Sequence, residues 1–227
     1  MARWPWASPT QNKSDIDLLI TFDDLSEAQS TAFYDLLKRH HDKRPYVGGL
    51  EASVIPDREA QSPTYPMPML TFFSEQAPEP PQRVDGNLPR SDILFMNVVV
   101  ARTRGVTLWG LAPEVAIGEV DWDDFLTAVE NDMTMVLEGG AMLHSPFLAV
   151  LNLCRWQMIK RTPEKIVPSK EEGGEWALTY LPSETWGIIN QALAAYRSSE
   201  WPKDAHERRR AGGPWNPDEL MAFRDVL

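Results

Sequence analysis

Two carboxylates, Asp15 and Asp17, stand two residues apart at the head of the apolar run Ile16-Asp17-Leu18-Leu19-Ile20-Thr21-Phe22. In a β-strand, residues i and i+2 point to one face. The two acids would therefore stand side by side, while Ile16, Leu18, Leu19 and Ile20 fix the strand in a sheet. Like charges that close raise each other's cost of ionisation. A divalent cation with oxygen ligands offsets that repulsion. The alternative is a solvated Asp-x-Asp at a strand edge, because short patterns recur by chance.

The elements that would position this pair follow from spacing and breakers. Residues 15–22 read as a strand and 25–41 as an amphipathic helix, with Asp24 or Ser26 as cap. Gly48-Gly49 breaks the chain, and residues 50–55 read as a second strand ending at Pro56. Residues 57–69 and 76–90 are proline-rich and read as loops, with a short apolar piece at 70–73 between them. Residues 91–104 are strongly apolar and fit a helix or a buried strand, and 106–110 read as a strand. The second half is helical. Apolar residues recur at helical spacing over 121–137 and 145–161, where Ser145-Pro146 is a cap followed by a first-turn proline. Shorter helices follow at 169–181, capped by Ser169, and 183–198, capped by Ser183. Residues 199–215 are polar and basic and are expected to be mobile, and 217–226 form a last helix. The fold class expected is α+β: a small α/β domain over 1–118, then an all-α helical bundle over 119–227.

Composition narrows the function classes. The chain has 227 residues, a net charge of -11 and one cysteine, Cys154. The charge argues against a general nucleic-acid or anionic-membrane binder and suits a cationic substrate. A single cysteine forms no internal disulfide, which fits a reducing, cytoplasmic setting. No apolar run approaches the ~20 residues that span a bilayer, and the N-terminus lacks an apolar signal core. A metallohydrolase is disfavoured, since the adjacent His40 and His41 face different directions on a helix.

Ser14-Asp15-Ile16-Asp17-Leu18-Leu19, a helix, and then Leu50-Glu51-Ala52-Ser53-Val54-Ile55 resemble the polymerase-β-like nucleotidyltransferases. Further matches lie in Tyr65-Pro66 through Phe73-Ser74-Glu75, in Leu151-Asn152-Leu153-Cys154-Arg155, and in Lys165-Ile166…Lys170…Glu175-Trp176-Ala177…Leu181-Pro182. Together they resemble the aminoglycoside adenylyltransferases of the streptomycin/spectinomycin type, from about residue 13 to 197. The resemblance implies transfer of AMP from ATP to a hydroxyl of a small molecule of the aminoglycoside class, with Mg2+ held by Asp15 and Asp17. It implies Glu51 as general base. It gives Ser14, Arg155, Lys170 and Tyr196 contacts to phosphate or nucleotide, so that ATP bridges the two domains of a monomer. For Arg155 a structural salt bridge stands as the alternative, and for Tyr196 a place in the helical core.

Two departures qualify the resemblance. The family's Gly-Ser turn lies about eleven residues before its first aspartate, where this chain has Arg3-Trp4-Pro5-Trp6-Ala7-Ser8-Pro9. The first domain is therefore expected to be N-terminally incomplete or replaced, and turnover to be weakened by lost backbone donors to phosphate. The positions that hold the drug's cations in the relatives carry Ser145 and Ala141, and a drug-site Trp aligns with Gln76. Two other readings stay open: a catalytically impaired relative that binds nucleotide or a protein partner, and an interaction module residing in 119–227.

Overall fold

The computed structural model describes residues 16–45, 48–75, 77, 79–138, 140–198 and 205–227. They fall into two compact units, divided between Ala128 and Val129. The boundary expected at 118 precedes the helix in which this division occurs.

The first unit is built on a three-stranded sheet. Strand β1 (Ile16–Phe22) runs parallel to β2 (Leu50–Pro56), and β4 (Thr71–Phe73) lies antiparallel on the other side of β2. Parallel neighbours need a crossover connection, here helix α1 (Glu27–Asp42). Ser26, one of the two caps expected, closes the N-terminus in a capping box with Gln29. Alternation then separates the two faces of the sheet. Ala52, Phe73, Tyr34 and Leu37 form one buried cluster with Leu18 and Phe33 packed against it; Val54, Leu25 and Leu70 form another with Ile20. Strand residues 18, 20, 52, 54 and 73 thus line the core face, and 17, 51 and 53 are left for the other.

The rest of this unit corrects several sequence expectations. The loop expected at 57–69 contains helix α2 (Asp57–Gln61) and strand β3 (Met67–Pro68), which pairs with β5 (Arg90–Ser91). The ambiguous stretch 91–104 is helix α3 (Asp92–Arg104). Ser91 caps it by accepting from the Leu94 amide, and Leu94, Phe95, Val98 and Val99 are buried. No strand forms at 106–110. Leu108 and Trp109 are exposed, Gly110 has φ +95°, and Thr107 bonds across a turn to the Leu111 carbonyl. A β-branched run lacking a strand to pair with has no ladder to join, which is why propensity alone fails there.

The second unit is helical. It begins within α5 (Trp122–Glu138), in which the division between units falls; the short α4 (Pro113–Ala116) before it belongs to the first unit. Then come α6 (Ala141–His144), α7 (Pro146–Arg161), α8 (Lys170–Tyr180), α9 (Trp186–Arg197), α10 (Ala205–Arg209) and α11 (Pro217–Val226). Ser145 stands at the N-cap of α7, yet its side chain makes no capping bond. Ser169 and Glu172 form a full capping box on α8. Ser183 does not cap α9: Ser183–Thr185 form a 3-10 turn that leads into it. Within the segment expected to be mobile, residues 205–215 contain α10 and the buried residues Arg208 and Trp215. No helix among the described residues is long and apolar enough to cross a membrane.

Candidate functional site

In the first unit the sheet register decides which acids meet. The parallel pairing places Asp17 directly beside Glu51. Neighbouring strands lie about 4.8 Å apart, and registered neighbours project to one face, so two carboxylates share the side of the sheet turned away from α1. The antiparallel pairing on the other edge matches Ala52 with Phe73. One step further, Glu51 lies opposite Ser74, whose hydroxyl donates to Glu51 Oε1 at 3.0 Å. Asp17, Glu51 and Ser74, the residue that follows β4, therefore form a row across the sheet. Glu51 is half-buried and Asp17 exposed, so ionised carboxylate there remains wetted at its outer edge.

Ser14 and Asp15 lie outside the described residues, as does Gln76, so the aspartate pair is placed only through Asp17. Among the described residues no group of three His, Cys, Asp or Glu side chains is close enough to hold a metal ion. The donor chemistry nonetheless fits magnesium. This hard cation takes oxygen ligands, one or two carboxylates with the remainder from water and phosphate, and the row offers oxygen alone.

The second unit gathers Arg155 and Tyr196 around the crossing of α7 and α8, with Lys170 on the adjoining turn of α8. Gly173 makes that crossing possible: a Cβ there would come within 2.8 Å of both Cα and N of Arg155. Lys170 lies one turn before Gly173, and residues three apart share a helix face. The Arg155 guanidinium donates from Nε to the Pro168 carbonyl at 3.0 Å, and from Nη1 to Asn152 Oδ1 at 3.5 Å. These contacts hold the side chain at the crossing of the two helices. Tyr196, half-buried on α9, has its hydroxyl pushed above the usual phenol range by burial and by Glu171, against the pull of Arg155. Asp132 on α5 is raised by burial, with Arg155 opposing. Arg197 forks to Glu171 at 2.6 Å and Glu175 at 2.5 Å, tying α9 to α8.

Sequence reasoning missed two residues. Ser74 sits inside a quoted motif without a role, and the antiparallel register is the signal that finds it. His41, on the buried side of α1, lies against Phe73 with ring centroids 5.5 Å apart. Burial pushes the Cys154 thiol up to about 12, which disfavours the reactive thiolate.

Residues 116–211 match the family model described as "Aminoglycoside adenylyltransferase, C-terminal domain". The whole fold is similar to a spectinomycin adenyltransferase, AAD(9), from Enterococcus faecialis, whose crystal structure was solved with ATP and spectinomycin. The TM-score is 0.68 at 13% identity, over 93% of this chain and 84% of that one. No curated protein matches the chain.

Proposed function

We propose that this chain, whose residues 116–211 match the model of the C-terminal domain of the aminoglycoside adenylyltransferases, transfers AMP from ATP to a hydroxyl of an aminoglycoside-class acceptor. The observation that carries the reading is the registered pair Asp17 and Glu51 on adjacent parallel strands, in a fold similar to that of an enzyme solved with ATP and spectinomycin.

In the proposed reaction the acceptor oxygen attacks the α-phosphorus in line. A new O–P bond forms, the bond to the β-phosphate bridging oxygen breaks, and pyrophosphate leaves. Glu51 accepts the hydroxyl proton, from within about 3 Å or through one water. Asp17, with Asp15, would hold magnesium, which supplies charge neutralisation at the triphosphate and acidifies the attacking hydroxyl. Ser14 contacts phosphate. Arg155, with its planar fork suited to phosphate oxygens, and Lys170 neutralise triphosphate charge, and Tyr196 contacts the nucleotide. Cytoplasmic, monomeric action on a free small molecule completes the proposal.

The test is an adenylylation assay with labelled ATP and Mg2+ against a panel of aminoglycosides that includes spectinomycin and streptomycin. AMP transfer to at least one acceptor, abolished in Glu51→Gln, is the expected result. No transfer to any acceptor overturns it. A second reading, nucleotide binding without turnover, is favoured by Arg3–Pro9 standing where the relatives carry Gly-Ser. Calorimetric binding of ATP with Mg2+ in a protein that transfers nothing would establish that reading.

A further inference from the structure

Resting on the adenylyl-transfer reading of Glu51, we propose that Ser74 is the positioning residue of that carboxylate, with His41 holding the backbone next to Glu51. Ser74 is 5% exposed and its hydroxyl donates to Glu51 Oε1 at 3.0 Å. A glutamate on a strand has three side-chain torsions, and each staggered well moves its carboxyl by ångströms. The bond from a buried neighbour selects one arrangement, with Oε1 engaged by a donor that belongs to the protein. Misplacement of a reacting group by about 1 Å can cost about 100-fold in rate.

The clamp is one imidazole. His41, 7% exposed, accepts from the Leu50 amide at Nδ1, 3.3 Å away. Acceptance at Nδ1 leaves the ring proton on Nε2, which faces Glu75 Oε2 at 3.6 Å. Arg44 Nη2 approaches the same oxygen at 3.8 Å. Leu50 precedes Glu51, and Glu75 follows Ser74. One ring on α1 therefore bonds the β2 backbone immediately before the base and stands beside the Glu75 carboxylate that follows its partner. The row of side chains on the outer face is braced from the helix on the inner face.

The experiment compares wild type, Ser74→Ala, Ser74→Thr and His41→Phe in AMP transfer, at one pH, with the acceptor the panel identifies. Ser74→Ala is expected to lower kcat about 10- to 100-fold with KM for ATP unchanged, and Ser74→Thr to restore most of it. His41→Phe, which keeps a ring against Phe73, is expected to lower kcat less, and not additively with Ser74→Ala. The carboxyl 13C resonance of Glu51 at fixed pH, assigned with Glu51→Gln, is the second readout. It should move in Ser74→Ala and return in Ser74→Thr. An active wild type whose Ser74→Ala variant keeps kcat, or an unmoved resonance, overturns this inference and leaves the proposed function standing. A wild type that transfers no AMP overturns both. Should Ser74→Ala not fold, an unchanged kcat in His41→Phe overturns the clamp by itself.

Discussion

Thr71 is a buried hydroxyl without a hydrogen-bond partner among the described residues. Leaving such a group dry costs about 1–3 kcal/mol, and valine has nearly the same shape. Thr71→Val should therefore raise the stability of the first unit by about 1 kcal/mol, read as a higher urea midpoint with unchanged m-value; a lower midpoint would refute it. Asp132 is the opposite kind of residue, an acid whose burial outweighs its attraction to Arg155. Its folded form holds a proton more tightly than its unfolded form, so stability falls as pH rises through and above the ordinary carboxylate range, about 3.9. Asp132→Asn removes that loss. The variant should match wild type near pH 3 and exceed it in Tm near pH 7; a difference independent of pH would contradict the sign.

At the scale of elements, the crossing of α7 and α8 leaves no room for a side chain between the two helices. Gly173 and Gly174 let the helices touch: a Cβ on the first would meet Arg155, and on the second Leu193 and Leu151. Gly173 lies against backbone atoms, which cannot swing aside. Gly173→Ala should cost about 1–3 kcal/mol through overpacking, despite alanine's better helix propensity. Since the helices would part at Arg155 and Lys170, the same variant should raise KM for ATP more than it lowers kcat. Calorimetry and steady-state kinetics check both halves. A stabilised variant would show that the crossing has slack.

For the whole molecule the governing quantity is its net charge of -11. A negative surface field raises the encounter rate with polycationic acceptors and repels nucleic acid. Between about 0.01 and 0.15 M ionic strength the screening length falls from about 30 to 8 Å. The kcat/KM for a cationic acceptor should therefore drop severalfold over that range, with kcat almost constant. The same titration with ATP, an anion, should show a flat or opposite trend. Equal behaviour toward both substrates would mean that the charge plays no part in capture.

Much of this architecture was legible because it is local. Ser26 and Ser169 announce their helices by hydrogen bonds three residues away, and α5, α7 and α9 carry their apolar residues at helical spacing. The alternation around Asp17 and Glu51 marks the face they occupy. Other features required a distant partner. Residues 91–104 became a helix, though their pattern fits a strand too, and 106–110 remained unpaired because no strand runs beside it. Ser183 failed as a cap because a 3-10 turn intervenes before α9 begins.

The sequence by itself determined most of the long helices, the two strands that carry the acids, and the residue types available for phosphate and proton chemistry. Those are consequences of periodicity and of bonds that close within one turn. Only the tertiary structure decided that Asp17 stands beside Glu51 rather than one residue out of step, that Ser74 completes the row, and that His41 braces it from behind. Register between strands is set by the packing of faces far apart in the chain, and a shift of a single residue would have turned every one of those groups to the other side.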